Sequence, residues 1–401
     1  MQEFRRELET GGPSLVIGRG TGGRGRLDSI DLLRGLIMVI MALDHVRDYF
    51  LNVRYDPLDL KQTSVALFLT RWVTHFCAPL FIFLAGTSAY LAGTRGKSRT
   101  GLSWFLLSRG LWIIVLEFTV VRWGWTFSFD YRFLFVQVLW AIGCSMIALS
   151  GLVFLPTWIV TVIGVVMIAG HNALDGVSAA QLGIPDWLWD ILHTGRRFEL
   201  GGDVMFLPAY PLVPWIGVMA AGYGLGAVFL LPRQRRRHCL LGLGLMLTLA
   251  FIILRGINIY GDPHPWSARS DGLFTVLSFI NCHKYPPSLL YLLMTLGPAL
   301  IALAAFDRDI GPFGKPLVTF GRVPMFFYLL HVPLIHGLAV ALAYVRYSGK
   351  IFEPWNLPPD YGYSLAVVYL VWLLVLGILY PPCRWFAGIK RRYRWAWLSY
   401  L

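Results

Sequence analysis

Charge is what this sequence has least of. Only 14% of its 401 residues are Asp, Glu, Lys or Arg, where a soluble chain carries about a quarter. Acidic residues are scarcer still, 22 against 35 Lys and Arg, giving a formal charge of +13. Cysteine is sparse: Cys77, Cys144, Cys239, Cys282 and Cys383 lie far apart, mostly in or beside apolar runs. That spacing argues against a disulfide framework and against a zinc site, so no metal is expected. Residues 1–26 are rich in Gly and Arg and have no apolar centre, which argues against a cleavable signal peptide. No repeat of 20–50 residues is apparent, which argues against a solenoid.

What the chain has in abundance is long apolar runs. It is 56% hydrophobic, and segments near 20 residues recur from end to end. The expected fold is all-α: a polytopic membrane bundle of about 10–11 transmembrane helices. The runs centre on 30–50, 72–92, 103–123, 133–151, 153–171, 209–231, 239–259, 286–306, 317–345 and 363–386. The ninth contains Pro324 and Pro333 and is expected to kink or split. The layout gives a flexible basic tail over 1–26, a membrane domain over 27–390 and a basic C-terminal tail over 391–401.

The basic excess is distributed by topology. With both termini on the cytoplasmic side, the inner segments hold 20 Lys and Arg and the outer ones 13, while acidic residues divide 5 to 13. Short loops such as "RQRRR" (233–237) follow the positive-inside pattern. The charge therefore points to topology and membrane lipid, and nucleic acid is not expected as a partner. The long connections, 172–208 and 260–285, fall on the outer side. "PDWLWDILH" (185–193) has the composition of a short interfacial helix.

Polar residues collect toward the outer ends of many spans. Asp44, His45 and Asp48 end the first, His75 begins the second, and Glu117 and Arg122 lie late in the third. Asn172 and Asp175 follow the fifth, Trp215 begins the sixth, Arg255 and Asn258 end the seventh, and Lys284 precedes the eighth. Ionisable groups at membrane depth are costly and usually face a cavity or a partner. Glu117 is expected to pair with an Arg on a neighbouring helix. His331 and His336 are five residues apart, about 140° around a helix, which suits packing better than a shared metal. The outer tryptophans read mainly as an interfacial belt.

The first span carries a sharper pattern. Arg34 and His45 are eleven steps apart, about 20° past three full turns, so they share one face roughly 16 Å apart along the axis. An Arg in the inner half can hold a phosphate or carboxylate, and a His in the outer half can act as a base. Asp31 and Asp48 are spaced for same-face contact with them, whereas Asp44 points about 100° from His45 and is expected to face another helix. The bland alternative is that Arg34 snorkels and His45 satisfies a packed carboxylate.

"SIDLLRGLIMVIMALDHVRDYF", "WVTHFCAPLFIFLAGTSAYL", "HNALD", "YPLVPWIGVMAAGYGLG" and "KYPPSLLYLLMTLGP" resemble the bacterial branch of the heparan-α-glucosaminide N-acetyltransferase-like membrane family. The resemblance spans nearly all of residues 26–345. The Arg-x10-His spacing is also similar to that of bacterial membrane enzymes that O-acylate surface glycans. The resemblance implies transfer of an acyl group, usually acetyl, from cytoplasmic acyl-CoA to an amine or hydroxyl of a sugar or glycan on the far side. Acyl-CoA would be a co-substrate with no tightly bound cofactor, the protein would reside in a bacterial cytoplasmic membrane, and a homodimer is compatible with it. In the lysosomal enzyme the position matching His45 is Asn, and the catalytic His lies in the loop after the first span. Here residues 46–74 contain no His, so His45 or His75 takes that role, and His45 is the preferred base, with Asp48 or another carboxylate orienting its ring and Asp44 as a neighbour. Arg34 and Arg322 are the expected donor-binding residues. Asn172, Asp175, Trp215, Arg255, Asn258 and Lys284 are the candidates for acceptor binding or oxyanion stabilisation. The competing reading is a proton- or ion-coupled transporter using the same buried groups, against which no inverted repeat is seen.

Overall fold

The computed structural model describes residues 28–308, 310–347 and 360–393, together with 395 and 398. The expected 1–26 tail and much of the 391–401 tail lie outside these residues. The long apolar runs are helices: α1 (Asp28–Phe50), α2 (Val65–Gly93), α3 (Arg99–Thr126), α4 (Val138–Leu152), α5 (Thr157–Leu174), α6 (Leu212–Leu230), α7 (Arg233–Ile257), the short α8 (Gly272–Ile280), α9 (Leu289–Phe306), the short α10 (Lys315–Arg322), α11 (Pro324–Arg346) and α12 (Leu365–Arg392). Eight of them are long and apolar enough to cross a membrane. Of the other two expected spans, α1 carries many charged residues and α4 is short, at 15 residues. The chain is an all-α polytopic membrane bundle.

Polar residues mark where several helices begin. The hydroxyls of Ser64, Ser98 and Ser288 accept from the backbone N–H of Leu67, Gly101 and Tyr291, satisfying donors that a helix N-terminus leaves open. The ninth run splits at Val323: α10 ends at Arg322, and Pro324, which lacks an N–H, starts α11 where none is needed. The "PDWLWDILH" stretch is helical over Asp186–Trp189 and continues as a wider turn over Asp190–Thr194.

One expectation is corrected. The apolar run at 133–151 begins as a strand, β1 (Phe133–Val136), and turns helical only after Gln137. β1 pairs in parallel with β3 (Val204–Pro208), which pairs antiparallel with β2 (Phe198–Gly201). A four-residue apolar run has no periodicity of its own to separate strand from helix; its partner is some 70 residues away.

The connecting segments gather at two ends, as the alternating layout requires. At one end Arg99 donates to the Phe154 carbonyl (2.7 Å), and Arg236 grips the Asp307 carboxylate at 2.8 Å on both oxygens. At the other, Asn281 donates to the Leu58 carbonyl (3.2 Å), Met205 N–H to that of Arg132 (2.8 Å) and Asn52 N–H to that of Tyr363 (3.1 Å).

The helix with the sharpest sequence pattern, α1, sits centrally and packs on α2, α9, α10, α11 and α12. Its approach to α10 is extremely close. A Cβ on Gly35 would lie 1.8 Å from the Leu317 carbonyl oxygen, and one on Gly321 would lie 1.8 Å from that of Asp31. Only glycine at both positions lets the two backbones touch.

Candidate active site

Among the described residues, two of the cavities within the bundle are lined by side chains singled out in the sequence. The larger, about 1240 Å³, lies at the end bearing the long loops and is walled by α1, α2, α3, α11, the sheet and the 284–285 segment. The smaller, about 290 Å³, lies toward the basic end. Its polar lining is Arg34, Ser88, Arg109, Arg322 and Lys390, and its interior is apolar, with Met38, Leu106, Ile113 and Met146 among the walls. Phe81, Val138 and Tyr328 line both. These three side chains form a wall that the two cavities share.

α1 feeds both chambers. Arg34 lines the small one, donating to Asp31 (3.2 Å), to the Ser88 hydroxyl (3.0 Å) and to the Gly321 carbonyl (3.3 Å). Three turns on, His45 lines the large one. Its ring is held edge-on against Trp125 (centroids 4.8 Å, 77°) and lies 5.1 Å from that of His331. Its Nδ1 is buried with no hydrogen-bond partner among the described residues. The Asp48 carboxylate, one of those expected to orient the ring, is bonded to Arg47 at 2.5 Å.

Asp44 faces α2, as its angular offset from His45 suggests. It accepts from Arg71 Nη1 on both oxygens (2.8 and 2.7 Å) and pairs with Arg47 at 2.8 Å. With Asp48 on Arg47, four charges thus close one network. Arg71 was not foreseen because it stands at the very start of an apolar run, where it reads as a loop residue. The signal that could have found it is Asp44, an acid in a span that demands a cationic partner.

Lys284 reaches the large cavity on a short bridge to Pro287 and is largely buried. Its ammonium lies 5.0 Å from the Tyr285 ring centroid. Burial raises the Tyr285 pKa, but the Lys284 and Arg71 charges outweigh it and hold the phenol below its ordinary value. Arg322 lines the small chamber and pairs with Asp28 at 3.0 Å.

The remaining expected residues are elsewhere. His75 is fully buried in the tight turn Val73–Phe76, does not line either cavity, and packs on Tyr291 (5.4 Å). Asn172 accepts from Leu289 N–H (2.8 Å) and donates to Asp175 (2.9 Å), which in turn meets His193 at 3.1 Å. Trp215 is wholly buried against Tyr210. Arg255 donates to the carbonyls of Phe279, His264, Ser278 and Asn281, and Asn258 exchanges two bonds with Trp266. Asn172, Asp175, Arg255 and Asn258 hold the long loops together, and they, His75 and Trp215 line neither cavity. Glu117 also departs from expectation. It takes the Gln137 backbone N–H at 2.5 Å, and no Arg among the described residues is bonded to it.

Among the described residues, no group of three or more His, Cys, Asp or Glu is placed to hold a metal. The catalytic family model of heparan-alpha-glucosaminide N-acetyltransferase matches residues 26–260, over half of the chain. No curated protein sequence matches the chain.

Proposed function

The chain belongs to the heparan-α-glucosaminide N-acetyltransferase family, and from that premise we propose that it moves an acetyl group from cytoplasmic acyl-CoA to an amine or hydroxyl of a sugar or glycan across the membrane. A transmembrane acetyltransferase-type activity follows from the family. The donor, the acceptor and the residues that act are our reading.

The observation that carries it is the pair of unlike chambers that share the wall Phe81, Val138 and Tyr328. The smaller is near the lower bound of a small-molecule site. It suits the acyl-bearing arm of the donor, with the donor's phosphates met by Arg34, Arg322 and neighbouring cations at the rim. The larger has room for a sugar and is lined by groups that can make hydrogen bonds. In this reading a shift of the shared wall brings the thioester carbonyl to the acceptor, the acceptor attacks it, and His45 takes its proton. Lys284 offsets charge on the tetrahedral oxygen. The C–S bond then breaks, and the thiolate leaves with the proton returned from His45.

Purified protein incubated with labelled acetyl-CoA and a panel of sugars and amino sugars tests this. Label transfer that is lost in His45→Ala, with the fold retained, is the expected result. Absence of CoA binding together with proton-coupled solute uptake in vesicles would replace the enzyme by a transporter.

A further inference from the structure

α3 does not run straight through. At Glu117–Val121 it widens into a π turn, which inserts a residue and re-aims the side chains around it. Glu117 is 2% exposed and lines the large cavity. One of its oxygens, Oε1, caps the start of α4 through Gln137 N–H. The other, Oε2, is buried and has no partner among the described residues. The nearest Arg in sequence, Arg122, is engaged elsewhere, donating to the Ser128 carbonyl (3.0 Å) and lying over the Tyr131 ring (4.4 Å).

Capping Gln137 requires a single acceptor oxygen, which a glutamine amide would supply as well. A buried carboxyl oxygen left without a partner is costly. The second oxygen therefore exceeds what the helix start needs. Its location suggests what it serves. Val138, next to the capped Gln137, and Tyr328, whose phenol lies within electrostatic reach of Glu117, are two of the three residues that line both cavities. Glu117 itself lines the large cavity, which places its carboxyl group beside a molecule bound there.

We propose that Glu117 is an acceptor-binding residue, whose Oε2 takes a hydrogen bond from the acceptor's amine or hydroxyl in the large cavity, beside the wall it shares with the small one. This rests on the acetyltransferase reading above. It adds a group that orients the acceptor toward the thioester, distinct from the base that removes its proton.

Glu117→Gln is the discriminating variant, because its amide oxygen keeps the Gln137 cap while the second position becomes an N–H donor. The best acceptor from the sugar panel is the probe, at saturating acetyl-CoA. The expected result is an acceptor KM raised about 10- to 100-fold, a KM for acetyl-CoA within about twofold of wild type, and an unchanged melting temperature. Should that variant not fold, Glu117→Asp keeps the charge, withdraws it by one methylene and is expected to raise the acceptor KM likewise. A wild type that transfers acetyl, with an acceptor KM unmoved in the variant, overturns the inference alone and leaves Glu117 a helix cap. A wild type that transfers to no acceptor overturns the acetyltransferase reading and the inference with it.

Discussion

The imidazoles of His45 on α1 and His331 on α11 face each other with centroids 5.1 Å apart. His331 donates from Nδ1 to the Tyr328 carbonyl (2.7 Å), which fixes its tautomer and leaves its buried Nε2 without a partner among the described residues. Together with Trp125 it clamps the His45 ring by contact. In the proposed mechanism this aromatic clasp stands where a triad has its Asp–His pairing.

From this clasp follows a ranking of variants. His45→Ala is expected to lower turnover by about 10²- to 10⁴-fold, the usual worth of a positioned base. Asp48→Asn, whose carboxylate is engaged with Arg47, is expected to cost less than about tenfold, within the loss of one surface ion pair. His75→Ala should leave turnover nearly intact and lower the melting temperature, since it empties a fully buried site. Turnover and thermal unfolding measured on the three variants check this; His75→Ala abolishing transfer in a stable protein would move the base to His75.

The Asp44 network supplies a stability prediction. Removing one partner of a buried ion pair strands the other, at a cost of about 3 kcal/mol. Asp44→Ala strands Arg71 and is expected to destabilise the fold by roughly this amount, and Arg71→Ala by less, because Asp44 keeps Arg47. The double variant should fall well short of their sum, because neither charge is then stranded. Thermal unfolding in detergent measures the cycle; strict additivity would mean that the two side chains do not depend on each other.

Gly35 and Gly321 set the seat of the small chamber. A methyl at either position meets a backbone oxygen at 1.8 Å, and backbone cannot yield as a side chain does. Gly35→Ala is therefore expected to push α1 from α10, moving Arg34 and Arg322 apart. The result should be a lowered melting temperature and, in protein that remains folded, a KM for acetyl-CoA raised at least about tenfold, as expected when an anion's bidentate contacts are lost. Unchanged values for both would show that the crossing tolerates separation.

The spans were legible because each is an apolar run of near-membrane length, and the Arg34–His45 relation because helical geometry follows from spacing alone. What escaped depends on partners distant in sequence. Phe133–Val136 is a strand only because Met205–Pro208 lies beside it. Arg255, Asn258 and Asn172 stand at the expected end of the bundle, yet their polar atoms are consumed by loop carbonyls and amides. A long loop must satisfy its own backbone, and sequence does not reveal which side chains are spent on that. Lys284 could not be told apart from them by composition. Glu117 was misassigned because an acid in a span suggests a cation, while its actual partner is a backbone N–H that a linear reading does not register.

The folded loops themselves carry a pH dependence. His283 donates its backbone N–H to Asp262 (2.8 Å), and its ring lies 4.6 Å from that of His264. Burial first, and then the charge His264 can carry, hold its pKa below the ordinary histidine value, against the opposite pull of Asp262. In the unfolded chain the group titrates near 6.5, so between the two values the unfolded state binds more protons than the folded one. The stability owed to neutral His283 is thus complete above about pH 6.5 and is lost as pH falls through the depressed folded value. Melting temperatures taken from pH 8 to pH 5 are expected to hold and then decline in wild type, and to decline less in His283→Gln, which cannot take up the proton. An acid limb of the same depth in the variant would assign the loss to groups other than His283; Asp175 is not one of them, since burial raises its carboxyl's pKa but hydrogen bonds from His193 and Asn172 lower it overall, so that its contribution fades only below this pH range.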